Sequence, residues 1–357
     1  MGSDRLPFRS RTFRFASHFL HWSGLLALAR PFVNAARLRL DRTGRPAFPF
    51  VRWRKTRNAQ ILIYHRVNDD GDPYFRGIPT VEFERQMAYV SSRFHVLALS
   101  DLVSRLREGA LPDNSIAVTL DDGYRDNYIN AFPVLQRHSV PATIFLATSA
   151  IGSARQLWHD DVFSAFRETV EPTLEPFGPA RIGGPLATVA DRLRVQQEVL
   201  AYIRILSETK RAEVVTRLRD ALRVGPPREA PGLMLSWDEV RAMHRAGVHF
   251  GSHSATHPIM SRVDPYQARH EVVESKRKIE EELGVVVDGF AYPNGARTDF
   301  RAESKGLLRE AGYAYAVTTI PGPNEPEADV FELRRATPWD EDIFAFGVRL
   351  LYNKLGA

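Results

Sequence analysis

Residues 116–124 read Ile-Ala-Val-Thr-Leu-Asp-Asp-Gly-Tyr, a short β-branched run that stops on two carboxylates and a glycine. The run suits one buried strand, and Asp-Asp-Gly supplies turn chemistry at its C-terminal end. The same pattern recurs along the chain. Residues 61–67 (ILIYHRV) end an apolar run on His65, residues 248–257 (VHFGSHSATH) end one on His253 and His257, and residues 289–295 (GFAYPNG) end one on Tyr292, Pro293 and Asn294. A lone Asp-Asp-Gly is more often a solvated turn. Four polar clusters at the same end of four strands point instead to one shared site.

Further short apolar runs at 95–99, 142–147, 314–318 and 331–333 alternate with helical patterns at 81–92, 237–246, 265–283 and 300–311. Ser236 followed by Glu239 is a capping box, and Gly284 and Gly312 stand where helices should stop. Strand–helix alternation over about 300 residues predicts an α/β fold with parallel strands, most simply a (β/α) barrel, whose chemistry sits at the C-terminal strand ends. Residues 151–232 break the rhythm. They lack clear strands and carry helical patterns at 188–206 and 208–222, so they read as a largely helical insertion between two barrel strands, either a cap over the barrel mouth or a surface decoration.

Composition narrows the chemistry. The 357 residues contain no cysteine, which excludes a disulfide scaffold, a thiolate metal site and a Cys nucleophile. Any metal must rest on His, Asp and Glu. The net charge of +5 is unevenly spread: residues 1–57 hold 13 lysines and arginines against Asp4 and Asp41, whereas the remaining 300 residues carry 35 against 41 acidic groups. The body is therefore mildly acidic, and no nucleic-acid partner is expected. The arm (1–57) joins four arginines to an apolar stretch, FASHFLHWSGLLALA at 15–29. It is too short and interrupted to span a bilayer, and reads as an interfacial helix on an anionic membrane surface, a secretion signal or a tail of no consequence. The expected placement is peripheral to a bacterial cytoplasmic membrane, on the cytoplasmic or the exported side.

His253 and His257 can face one point if their segment makes a helical turn, and a carboxylate from Asp121-Asp122 would complete a three-ligand site open to water and substrate. Adjacent buried carboxylates repel unless a cation or a shared proton intervenes. One of the pair can bind the cation while the other stays near as a base. Asp plus two His suits zinc, with cobalt, nickel, iron and manganese also compatible.

TLDDGY, SHSATH and FAYPNG resemble, in this order, the first three signature motifs of the polysaccharide deacetylase family (NodB homology, carbohydrate esterase family 4). The resemblance covers roughly residues 58–340 outside the insertion. It implies a distorted (β/α) barrel in 58–357 and metal-dependent hydrolysis of an N-acetyl group on a sugar. Carried over residue by residue, it makes Asp122, His253 and His257 metal ligands and Asp121 the general base, with the Tyr292 backbone N–H helping to bind the oxyanion beside Pro293 and Asn294. The family's closing Leu-x-His motif is missing, since no His follows His270. His65, in LIYH, resembles the N-terminal Tyr-His of the circularly permuted subgroup that includes poly-N-acetylglucosamine deacetylases, and is assigned as general acid. The third motif also lacks the arginine that orients the base; Arg334, Arg335 and Arg66 are candidates to replace it. Trp158, in Trp158-His159-Asp160-Asp161, is either a sugar platform or a helix-packing residue. The expected substrate is an N-acetylated glycan or a lipid-linked sugar. The alternatives are a related C–N hydrolase such as a lipid-linked amino-sugar deformylase, and a non-catalytic glycan-binding scaffold.

Overall fold

The computed structural model describes residues 58–354 except 180, 228, 339 and 341; the basic arm lies outside the described residues. Seven parallel strands form one curled sheet: β1 (Gln60–Tyr64), β2 (His95–Val96), β3 (Ser115–Leu120), β4 (Ala142–Leu146), β7 (His249–Ser252), β8 (Gly289–Ala291) and β9 (Tyr315–Val317). The order is β1-β3-β4-β7-β8-β9, with β2 paired to the start of β3. β1 and β3 are buried at every position, so their runs are mostly apolar rather than alternating, with Gln60, Ser115 and Thr119 the polar exceptions. Helices separate consecutive strands and cover the outer face: α1 (Thr80–Arg93), α2 (Leu99–Arg107), α3 (Phe132–Arg137), α7 (Trp237–Arg245), α8 (Pro265–Leu283) and α9 (Ala302–Glu310). The Ser236–Glu239 capping box forms as expected, and Gly284 ends α8 in the left-handed region at φ 68°.

The two sheet edges are bridged by an irregular stave. Leu333 pairs in parallel with Val317 of β9, and Ala336 pairs in parallel with Leu62 of β1. The Ile63 N–H donates to Ala336 O at 3.0 Å, and the Ala336 N–H donates to Ile61 O at 2.8 Å. Only single residues pair on each side, so the stretch predicted as a strand at 331–333 is a bridge. Its course nevertheless carries Arg334 and Arg335 between β9 and β1.

The segment between β4 and β7 has its own core. It contains α4 (Trp158–Glu168), β5 (Thr173–Phe177), β6 (Ile182–Pro185), α5 (Val189–Ile203) and α6 (Glu208–Ala221). Val162, Phe166, Leu174, Leu186, Val199, Ile203 and Leu218 form a buried cluster separate from the barrel core. The expectation that this stretch lacks strands is corrected: β5 and β6 pair antiparallel. Pro176 and the Gly183-Gly184-Pro185 run hid them, because those residues normally disqualify a strand.

Candidate active site

Strands β1, β3, β7 and β8 each run into a polar side chain that lines one cleft. β1 runs into His65, β3 into Asp121 and Asp122, and β7 into His253, while the segment after β8 brings Asn294. These five line a cleft of about 120 Å³ with His257, Thr319, Phe75 and, from the insertion, Trp158, His159, Phe163, Leu200 and Arg204. The turn is not solvated: Asp121 and Asp122 are each 1% exposed. Asp122, Ser254, His257 and Asn294 all lie in the left-handed region, at φ 75°, 65°, 60° and 60°. Such conformations cost about 1–3 kcal/mol each in non-glycine residues, and four of the eight among the described residues surround this cleft. Gly123, at φ 84°, follows Asp122 because a Cβ there would meet Ile151 and Leu146 side chains at 2.7 and 2.9 Å.

Asp122, His253 and His257 offer ligand atoms that all lie within 4.8 Å of one another, and all three residues are buried. The Asp122 Oδ1 stands 3.3 Å from the Nε2 of both imidazoles, yet it has no hydrogen-bond partner among the described residues. The His253 Nδ1 lies 2.7 Å from Ala291 O, so Nδ1–H donates to that carbonyl and the Nε2 lone pair faces the cluster. A carboxylate oxygen orphaned in a buried site beside two imidazole nitrogens fits a divalent cation, and these residues can hold one. The two histidines do not meet through a helical turn. A loop with left-handed Ser254 and His257 brings their ring centroids to 4.7 Å.

Asp121 is held differently. Arg335, 0% exposed, donates from Nη1 to Asp121 Oδ1 at 2.7 Å and from Nη2 to Oδ2 at 2.6 Å. Its Nε donates to Thr318 O at 2.8 Å and its Nη1 also to Thr119 Oγ1 at 3.0 Å, so the fork is fixed on three sides. Burial alone would raise the Asp121 carboxyl. The Arg335 and His253 charges outweigh it and hold the group below the usual carboxylate range. Of the three candidate arginines, Arg335 therefore orients Asp121. Arg66 is committed to Asp126 at 2.8 Å, and the Arg334 N–H and C=O bond the Asn324 side chain.

The oxyanion assignment to Tyr292 is corrected. Its N–H donates to Val317 O at 3.1 Å as part of the β8–β9 ladder, its ring stacks on Phe300, and its hydroxyl donates to Phe331 O at 3.1 Å. Pro293 is buried and has no N–H. Asn294 is the residue of this motif that reaches the cleft; its carbonyl accepts from Thr319 Oγ1 at 2.7 Å, and its Nδ2 is buried without a partner among the described residues.

His159 was not identified as a site residue from the sequence. Its Nε2 lies 2.9 Å from the Tyr124 hydroxyl, which donates to Asp160 Oδ1 at 2.9 Å, and its ring packs 5.1 Å from that of His257. Burial is the main cause that lowers its pKa to about 3, so it is a neutral ring. Burial likewise pushes Asp160 up to about 7. The only signal in the sequence was its place in Trp-His-Asp-Asp at the start of the insertion. Trp158 packs its ring 4.8 Å from the Arg211 guanidinium, as the packing alternative expects, and also lines the cleft.

Residues 108–316 match the family model described as polysaccharide deacetylase. The poly-beta-1,6-N-acetyl-D-glucosamine N-deacetylase of Staphylococcus epidermidis is 36% identical over 73 residues, 20% of this chain and 25% of that protein. The Staphylococcus aureus protein of the same name is 31% identical over 112 residues, 28% of this chain and 39% of that protein. The chain thus spans well under half the length of these relatives. Among solved structures, IcaB from Ammonifex degensii superposes with a TM-score of 0.54 at 17% identity, over 83% of this chain and 97% of that one. Streptococcus pyogenes deacetylase PplD in complex with acetate gives 0.52 at 16% identity, over 78% and 92%. At those identities the likeness is one of fold.

Proposed function

Because the chain belongs to the polysaccharide deacetylase family, we propose that it is a metal-dependent hydrolase that removes N-acetyl groups from an amino-sugar glycan or its lipid-linked precursor. The observation that carries this reading is the division of labour between the two buried carboxylates: Asp122 faces His253 and His257 with an unpartnered oxygen, whereas Asp121 is clamped by Arg335. Asp122, His253 and His257 would hold the divalent ion, zinc by donor type, which when bound supplies Lewis acidity toward a carbonyl and acidifies water.

The chain's own residues supply the rest. Asp121, kept ionised by Arg335, takes the proton from the attacking water. His65 stands beside Asp121 at the end of the neighbouring strand β1, with its backbone carbonyl anchored by Asn127 Nδ2 at 2.8 Å, and delivers a proton to the leaving amine. Phe75, Phe163 and Leu200 make one wall apolar and limit water around the reacting amide. The basic arm would hold the enzyme at an anionic membrane surface, close to a polymer or lipid-linked substrate.

The test uses the purified full chain and the His253→Ala variant. About one divalent metal per chain, lost in the variant, with chelator-sensitive acetate release from N-acetylglucosamine oligomers, is the expected result. Failure to bind metal under any loading condition would overturn it in favour of a glycan-binding scaffold. Metal with release of formate but not acetate, from the corresponding amides, would reassign the acyl group.

A further inference from the structure

The insertion brings positive charge to the cleft that the hydrolytic groups do not use. Leu200 and Arg204 lie one turn apart at the C-terminal end of α5, and both line the cleft. Arg204 is the C-cap residue, where a cation is favoured by the helix carbonyls. Among the described residues its guanidinium has no hydrogen-bond or ion-pair partner. The carboxylate whose charge reaches it is Asp299, and that carboxylate already accepts from the Ala296 N–H at 2.9 Å and from Thr298 Oγ1 at 3.3 Å. Behind Trp158 lies a second cation: Arg211 is 1% exposed, stacks on the indole, and leaves Nη1 without a partner. Its ion-pair partner is Glu208, and its charge reaches His257 across the cleft. Two further donors at the cleft residues are buried and unpartnered, Trp158 Nε1 and Asn294 Nδ2.

The carboxylates in the cleft are committed to the reaction. Asp121 accepts from Arg335 through both oxygens, and the unpartnered Asp122 Oδ1 faces the two imidazoles, where the cation would sit. A ligand entering between the strand ends and the insertion therefore meets an apolar wall, the hydrolytic groups, and a surplus of donors ending in a free guanidinium. Arg204 is solvent-exposed at the rim of the cleft, and a neutral N-acetylated sugar, whose hydroxyls donate as readily as they accept, would leave that cation paired only with water. A carboxylate or phosphate oxygen would match it, through a planar fork suited to either group.

We propose that Arg204 selects substrates carrying an anionic group, carboxylate or phosphate, beside the acetylated sugar. The assignment rests on the deacetylase reading for the position of the reacting amide. Two sources supply that chemistry: a hexuronate neighbour within the polymer, or the diphosphate of a lipid-linked sugar.

Calorimetric titration of the full chain separates them. The ligands are a neutral β-linked N-acetylglucosamine oligomer, an oligomer alternating N-acetylhexosamine with hexuronate, and N-acetylglucosamine 1-diphosphate on a short prenyl chain. One charge-assisted hydrogen bond makes an anionic ligand bind about 10- to 100-fold more tightly than the neutral one. Arg204→Gln brings its affinity down to the neutral level, Arg204→Lys recovers part, and added salt narrows the gap in the wild type alone. The anionic ligand that shows the gap identifies the source. Equal wild-type affinity for all three, or a preference that survives in Arg204→Gln, overturns the inference. Acetate release measured in parallel keeps the two ideas apart. An Arg204-dependent preference without acetate release would support the inference and sink the deacetylase reading, whereas acetate release with no preference would do the reverse.

Discussion

Replacing Arg335 with methionine removes the one guanidinium that hydrogen-bonds the buried Asp121 carboxylate. Asp121 is 1% exposed and receives both of its side-chain hydrogen bonds from this one guanidinium. Breaking a buried ion pair from one side costs about 3–5 kcal/mol, because the remaining charge stays in a medium that cannot solvate it. The loss here belongs at the upper end of that range, since Thr318 O also loses its donor from Arg335 Nε. Removing both charges should be far cheaper, so Asp121→Asn in the Arg335→Met background should recover at least about 2 kcal/mol. Urea unfolding of the wild type, both single variants and the double variant measures the cycle directly. The kinetic signature is separate. Without Arg335, burial dominates the Asp121 carboxyl and moves its pKa up. A base must be ionised to act, so the acid limb of the pH–rate profile shifts to higher pH in Arg335→Met. A cost below about 1 kcal/mol, or a double variant no more stable than Arg335→Met, would refute the clamp as described.

Two other perturbations follow from the same cleft. His65→Gln should lower the rate of acetate release by about 10²- to 10⁴-fold while metal content and unfolding midpoint stay at wild-type values; a loss under threefold would remove His65 from proton transfer. Burial pushes Asp160 up to about 7 and Asp161 up to about 6. A carboxyl that keeps its proton longer in the folded than in the unfolded chain gives stability that is full below the unfolded value of about 4 and lost as pH rises through the folded value. Asp160→Asn should therefore gain stability relative to the wild type as pH rises from about 4 to 7, by at most about 1.4 kcal/mol per unit. Buried histidines cancel in that difference, and a gap that is constant with pH in urea titrations would contradict the assignment.

The legible parts of the site share a local cause. Asp121, Asp122, His253 and His257 each follow a short apolar strand within a few residues, so strand recognition alone placed them at one end of the sheet. Arg335 was readable only as one of three candidates. It sits in a stave held by single-residue pairs, Val317 with Leu333 and Leu62 with Ala336, where no alternation tells inward from outward. Tyr292 failed for a related reason: whether its N–H is free depends on where the β8–β9 ladder ends, and Val317 extends it by one bond. His159 and Arg204 reach the cleft through the docking of the insertion, which is tertiary and leaves no periodic trace. The hairpin of β5 and β6 was concealed by prolines and glycines that pairing at a short edge tolerates.

The stave also sets an order in time. All three residues of the candidate metal cluster precede position 258, but the arginine that clamps Asp121 stands at 335, separated from it by 214 positions. A ribosome delivers the cluster first and the clamp only after β9 has emerged. A chain cut or stalled before the stave would retain residues able to take up an ion, with the carboxylate beside it undirected. On the proposed reading, the base is oriented only once the stave has docked between β9 and β1, so the barrel's closing seam must form before the site is complete.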